Sequence, residues 1–143
     1  MKETVPFTIK GLDHVVLRVK SLKRMMSFYC DVLGCNIDDE NKEIGLYQLR
    51  AGSQLIDLVP IDEMLGSQGG PAPGPDGHNM DHFALQISPY NDESIRKHLA
   101  KFGVELGETR VRRGAEGKGL SIQIRDPEGN CVELKGPQDS HTK

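Results

Sequence analysis

The chain repeats itself. Leu12-Asp13-His14-Val15-Val16-Leu17-Arg18-Val19 returns as Met80-Asp81-His82-Phe83-Ala84-Leu85-Gln86-Ile87, with the Asp-His doublets sixty-eight residues apart. Later segments keep the same register: Gln48-Leu49-Arg50 matches Gln123-Ile124-Arg125, and Ile56-Asp57-Leu58 matches Val132-Glu133-Leu134. A unit this short cannot bury a core alone, and two copies are too few for a solenoid, which needs at least three. Two halves must therefore close one core. The 143 residues match the common domain size of roughly 100–150. The chain thus reads as a single domain, with one module over about 11–60, a linker over about 61–79 and a second module over about 80–136.

The linker is marked by composition. Between residues 66 and 79, eight of fourteen positions are Gly or Pro and only Ala72 is apolar, which is loop chemistry. Each opening strand is followed by apolar residues at a 3.6 period, Leu22, Met25, Met26, Tyr29, Val32 and Leu33, then Ile95, Leu99 and Phe102, which predicts one helix per module. Ser21 and Asn91 or Asp92 suit the N-caps, and Gly34 and Gly103 suit the ends. Three strand-like stretches complete each half, at about 35–40, 43–50 and 54–60, then 104–112, 120–125 and 130–136. The expected fold class is α+β: two tandem βαβββ modules forming a curved eight-stranded sheet around a cleft, with a pseudo-two-fold axis relating equivalent residues.

Period-two alternation assigns the strand faces. His14 shares a face with Val16 and Arg18, opposite the apolar Val15, Leu17 and Val19. His82 shares one with Ala84 and Gln86, opposite Phe83, Leu85 and Ile87. The same test places Asp57 and Glu133 away from the core, because Ile56 with Leu58 and Val132 with Leu134 take it. One such side chain alone would be an ordinary solvated group. One imidazole and one carboxylate recurring in each repeat at matching register suit a divalent metal instead, since both bind zinc, nickel, cobalt, iron or manganese without thiolate. Ser121 and Gln123 face the cavity by alternation and are candidate substrate contacts. Residues 110–118 carry four positive charges and one negative among small residues, so Arg112 and Arg113 are candidates for a mobile cationic lip that meets an anionic substrate.

Composition narrows the partners. Eighteen Lys plus Arg against twenty-one Asp plus Glu leave a formal charge of −3, without the basic footprint of a nucleic-acid binder. No apolar run approaches the ~18 residues of a membrane span. Glu3 and Pro6 stand where a signal peptide would need an apolar stretch. Cys30, Cys35 and Cys131 are odd in number and lack CxxC spacing, so neither a disulfide framework nor a thiolate zinc site is indicated. The expectation is a cytoplasmic protein with a small-molecule ligand.

The repeated (Leu/Met)-Asp-His motifs, Phe28-Tyr29-x-x-Val32-Leu33-Gly34, and the stretch Arg125-Asp126-Pro127-Glu128-Gly129-Asn130-Cys131-Val132-Glu133-Leu134 resemble the vicinal oxygen chelate superfamily. That superfamily comprises glyoxalase I, fosfomycin-resistance and bleomycin-resistance proteins and extradiol dioxygenases. The resemblance covers roughly residues 11–136. It implies His14, His82 and Glu133 as metal ligands, with Asp57 where glyoxalase I has glutamate. Aspartate is one methylene shorter, which leaves either a water-bridged fourth ligand or a set of two histidines and one glutamate. The resemblance further implies one divalent ion (Ni, Zn, Co, Mn or Fe) and a homodimer, and leaves open whether a site is built within one chain or across two.

The implied chemistry is capture of a substrate through adjacent oxygens, the ion acting as Lewis acid. A glyoxalase-type (lactoylglutathione lyase) reaction would use Glu133 as the catalytic base. The alternatives are a ring-cleaving iron(II) dioxygenase, with Tyr47, Tyr90 or His98 as second-sphere candidates, a fosfomycin-type epoxide opening, and a sequestering module without catalysis.

Overall fold

The computed structural model describes residues 5–139. Module 1 runs β1 (His14–Val19), α1 (Leu22–Ser27), β2 (Asn36–Asn41), β3 (Leu46–Ala51) and β4 (Gln54–Pro60). Module 2 runs β5 (Phe83–Gln86), α2 (Asp92–Lys101), β6 (Leu106–Gly114), β7 (Gly117–Arg125) and β8 (Cys131–Lys135). The expected modules are both present. Their eight strands fall into two four-stranded sheets, ordered β1-β4-β3-β2 and β5-β8-β7-β6. In each, the first strand pairs in parallel with the last and the remaining pairs are antiparallel.

Local chemistry explains the helices. Ser21 accepts the Arg24 N–H through its hydroxyl, and the Asn91 side-chain carbonyl accepts from Ser94, so each start satisfies an otherwise orphaned donor. α1 relaxes into a π-helical turn over Phe28–Val32. Both helices end at glycines with positive φ, Gly34 at 82° and Gly103 at 70°, a conformation that side chains with Cβ resist. Met25 and Leu99 enter the core as the helical period required. Phe102 does not, since it lies exposed beside His98 and Lys101.

The core joins the two halves. Leu17, Val19, Leu49, Ile56, Leu58, Ile122, Ile124, Val132 and Leu134 belong to one buried cluster with Tyr29 and Leu99. Tyr29 is the hinge pin of the junction. Its ring stacks on Phe83 at 6.5 Å, and its hydroxyl donates to Asp126 across ninety-seven residues at 2.8 Å. Asp126 also accepts from the Glu128 and Asn130 backbone N–H groups and from the Asn130 amide. Glu128 reaches back to cap α1, accepting from the backbone N–H groups of Lys20 and Ser21. His98 donates to the Val32 carbonyl at 2.7 Å. The Asp126–Asn130 turn therefore clamps module 2 onto module 1.

The linker is not a free tether. Arg18, on the cavity side of β1, donates to the carbonyls of Gly66, Gly69, Gly70 and Pro71. Asn79 accepts from Arg18 N–H, donates to Arg18 carbonyl, and donates to Asn130. Among the described residues, no helix is long and apolar enough to cross a membrane.

Candidate metal and ligand site

β1 and β4 present His14 and Asp57 on one face, since His14 pairs with Leu55 and Val16 with Asp57. The His14 Nε2 lies 3.8 Å from Asp57 Oδ2. Module 2 repeats the arrangement, with His82 Nε2 at 3.5 Å from Glu133 Oε1. Both rings are held the same way: Nδ1 of His14 donates to Asp13 at 2.7 Å and Nδ1 of His82 to Asp81 at 2.6 Å. This places Nε2 toward the carboxylate, with its lone pair free for a ligand when the ring is neutral, the usual outer-shell support of a metal-binding imidazole. Hydrogen bonding to Asp13 and the charge of Asp57 push the His14 pKa up.

Asp57 is 2% exposed. Burial pushes its pKa up, while the Gln48 hydrogen bonds and His14 oppose the shift. Gln48 donates to both Asp57 oxygens, at 3.2 and 3.3 Å, from the position directly opposite on β3. Gln123 stands opposite Glu133 in the same way. Asp13, Asp81 and Gln48 escaped the reading of single residues, although all three sit inside the repeat that exposed the histidines.

The donor chemistry fits a divalent ion. Two donors each ~2.1 Å from a tetrahedral ion stand roughly 3.4 Å apart, close to both imidazole–carboxylate separations. The four groups do not converge within one chain, however. Among the described residues, no group of three or more His, Cys, Asp or Glu side chains could hold one ion. The modules meet through Tyr29, Asp126 and Glu128, and each keeps its imidazole and its buried carboxylate on one face of its own sheet. On module 1 that face lines an open cavity of about 480 Å³, with His14, Val16, Asp57, Val59, Leu65 and Gly69 among its walls.

Residues 110–118 are a β-hairpin rather than a mobile lip. Arg112 opposes Gly119 and Arg113 opposes Lys118, so the two arginines point to opposite faces. Arg112 shares the face of Ser121, Gln123 and Glu133 and donates to the Ser121 hydroxyl and carbonyl. Arg113 does not line that face, because neighbours on a strand alternate. Tyr47 donates to Glu63 and Tyr90 to Asp92, and with His98 engaged at the module junction none of the three stands at the paired ligands.

Paired βαβββ modules, each with an aspartate-braced histidine beside a carboxylate, define the class of fold and the candidate site. The Glyoxalase/Bleomycin resistance protein/Dioxygenase superfamily matches residues 11–134, and the chain belongs to it. Virulence protein STM3117 of Salmonella typhimurium is 30% identical over 136 residues, covering 92% of this chain and 88% of that protein. Its crystal structure superposes with a TM-score of 0.75 at 23% identity, covering 92% and 100% of the two chains. Lactoylglutathione lyase from Agrobacterium tumefaciens gives 0.65 at 20% identity, over 90% and 95%. The fosfomycin resistance protein FosX of Listeria monocytogenes, solved with Mn(II) and sulfate, gives 0.67 at 20%, over 92% and 93%. The last three likenesses are of fold.

Proposed function

We propose that the chain is a metal-dependent enzyme of glyoxalase type that acts on a small substrate held through adjacent oxygens, and that two copies of the chain complete each site. The observation that carries this reading is the repeated imidazole–carboxylate pair: each braced by aspartate, each on its own sheet, and each offering two donors where an ion takes four or more. His14 and Asp57 of one copy would face a histidine and glutamate equivalent to His82 and Glu133 of the other. Neutral imidazoles and carboxylates without thiolate accept nickel, zinc, cobalt, manganese or iron. The bound ion would supply Lewis-acid polarisation of the substrate oxygens.

The chain's own groups do the rest. Glu133 is the base that moves a proton between adjacent carbons, and Asp57, buried and held by Gln48, takes the opposing position. Asp13 and Asp81 keep the rings in the tautomer that leaves Nε2 free for the ion. Gln123, beside Glu133, offers an amide to a polar substrate.

The test is metal analysis of purified protein, followed by parallel assays with a methylglyoxal–glutathione adduct, a catechol with iron(II), and fosfomycin with a thiol. Turnover of the first with about one ion per chain is expected. Oxygen uptake with the catechol only in the presence of iron(II) would overturn the glyoxalase assignment. His14→Ala, His82→Ala and Glu133→Ala should each lower metal occupancy. Undiminished metal in Glu133→Ala protein would contradict the ligand set.

A further inference from the structure

The face that carries His14 and Asp57 turns apolar two residues further along each strand. Val16 follows His14 on that face of β1, and Val59 follows Asp57 on β4, where it pairs with Arg18. Leu46 stands two residues before Gln48 on β3, and Gln48 opposes Asp57, so alternation brings Leu46 to the same face. Leu65 comes in from the linker side, its N–H donating to the Ile44 carbonyl at 3.1 Å just ahead of β3. These four side chains line the open cavity of about 480 Å³ that also takes in His14 and Asp57.

The charged groups of this cavity are already engaged. Arg18 gives four of its five N–H donors to the carbonyls of Gly66, Gly69, Gly70 and Pro71. Asp57 is buried and accepts from Gln48. Val16, by contrast, is 45% exposed on the cavity face. Single exposed apolar residues are ordinary, but four around one hollow make an apolar patch with few polar groups, the composition of a small-molecule pocket. A charged group entering here would lose water without gaining a full set of partners, whereas a hydrocarbon group gains by the same burial. Arg112 and Arg113, the sequence candidates for meeting an anion, are not among the walls.

On the reading that an ion binds beside His14 and Asp57, we propose that this cavity takes an uncharged hydrocarbon group of the substrate, a ring the size of benzene or a branched chain, and that Leu46, Val59 and Leu65 set the preference for it. From Asp57 to Val59 the strand advances about 7 Å. The group therefore joins the substrate close to its paired oxygens, without a long spacer.

Full-length protein loaded with the metal it takes up is titrated with two chelators that present the same paired oxygens, benzohydroxamate and acetohydroxamate. Benzohydroxamate should bind at least fivefold more tightly, and a smaller ratio overturns the proposal. Leu65→Asn and Leu46→Asn, at half-buried positions that tolerate a polar side chain, should each cut that ratio at least threefold. Ile37→Asn, exposed on β2 outside the cavity, should keep it. A ratio that neither cavity variant moves shows the ring binding elsewhere and also overturns the proposal. Chelator-stripped protein is titrated in parallel with benzyl alcohol, benzoate and benzylammonium, followed through the methyl NMR signals of Val16, Leu46, Val59 and Leu65. Benzyl alcohol should shift these methyls, and both ions should bind at least fivefold more weakly. No shift with benzyl alcohol, or either ion within fivefold of it, is a contrary result. Benzyl alcohol binding at these methyls in a protein that takes up no metal would sink the metalloenzyme reading and leave the apolar cavity standing. Metal uptake with equal hydroxamate affinities would do the reverse.

Discussion

Asp13 and Asp81 show how much a single carboxylate can settle at the residue scale. Both are largely exposed, yet each fixes its neighbouring histidine ring through Nδ1. Removing such outer-shell support typically costs 10–100-fold in metal affinity. Asp81→Ala should therefore lose affinity in that range, measured by competition with a chromophoric chelator, with far-ultraviolet circular dichroism unchanged. Cys35 makes a separate prediction. Burial pushes its thiol from an ordinary 9.0 up to about 11. A thiol that holds its proton more tightly folded than unfolded stabilises the fold fully below about pH 9, and that contribution is lost as pH rises toward about 11. The thiolate is the reactive form, so at pH 8 native Cys35 should alkylate roughly a hundredfold more slowly than in urea, read by mass spectrometry of the peptide. Equal rates would contradict the burial.

At the scale of elements, Arg18 holds the Gly/Pro segment against β1 through four main-chain carbonyls. That segment supplies Gln68 and Gly69 to the wall of the module 1 cavity. Hydrogen bonds from a charged donor contribute about 1.5–3 kcal/mol each in favourable settings, less where exposed. Arg18→Ala should release the segment, with limited proteolysis cutting within 66–71 at least tenfold faster while the sheets stay protected. An unchanged cleavage rate would mean that the loop is held by something else. Composition alone identified this stretch as a loop but not as a wall, because a loop-forming sequence does not state which side chain its carbonyls will meet. The hairpin at 106–125 failed differently. Charge and small residues suggested a lip, yet the strands run on to Gly114 and Gly117, and that extension decides that Arg112 and Arg113 face opposite ways.

For the molecule as a whole, the decisive question is where the two halves of a site meet. If sites form across two chains, mixing His14→Ala protein with His82→Ala protein, after partial unfolding and reassociation, creates heterodimers with one intact site. Metal uptake and turnover should then recover toward half of the wild-type level for each heterodimer. A site built within one chain would recover nothing. Sedimentation of the metal-loaded and chelated protein should accompany the mixture, since an ion bound between subunits stabilises the dimer by mass action.

Duplication, the strand faces, the helix ends and the identity of the four candidate ligands were all written in the chain itself. Period-two alternation and glycine conformation are local, and a repeat doubles every local signal. Gln48 beside Asp57 and the Asp126 turn gripping Tyr29 were decided only by tertiary structure. Each depends on which strands lie side by side, and neighbours distant in sequence leave no periodic trace. For the same reason, only the docked modules show that no three of the candidate ligands gather at one point among the described residues: both faces were legible, but not the direction in which each would look.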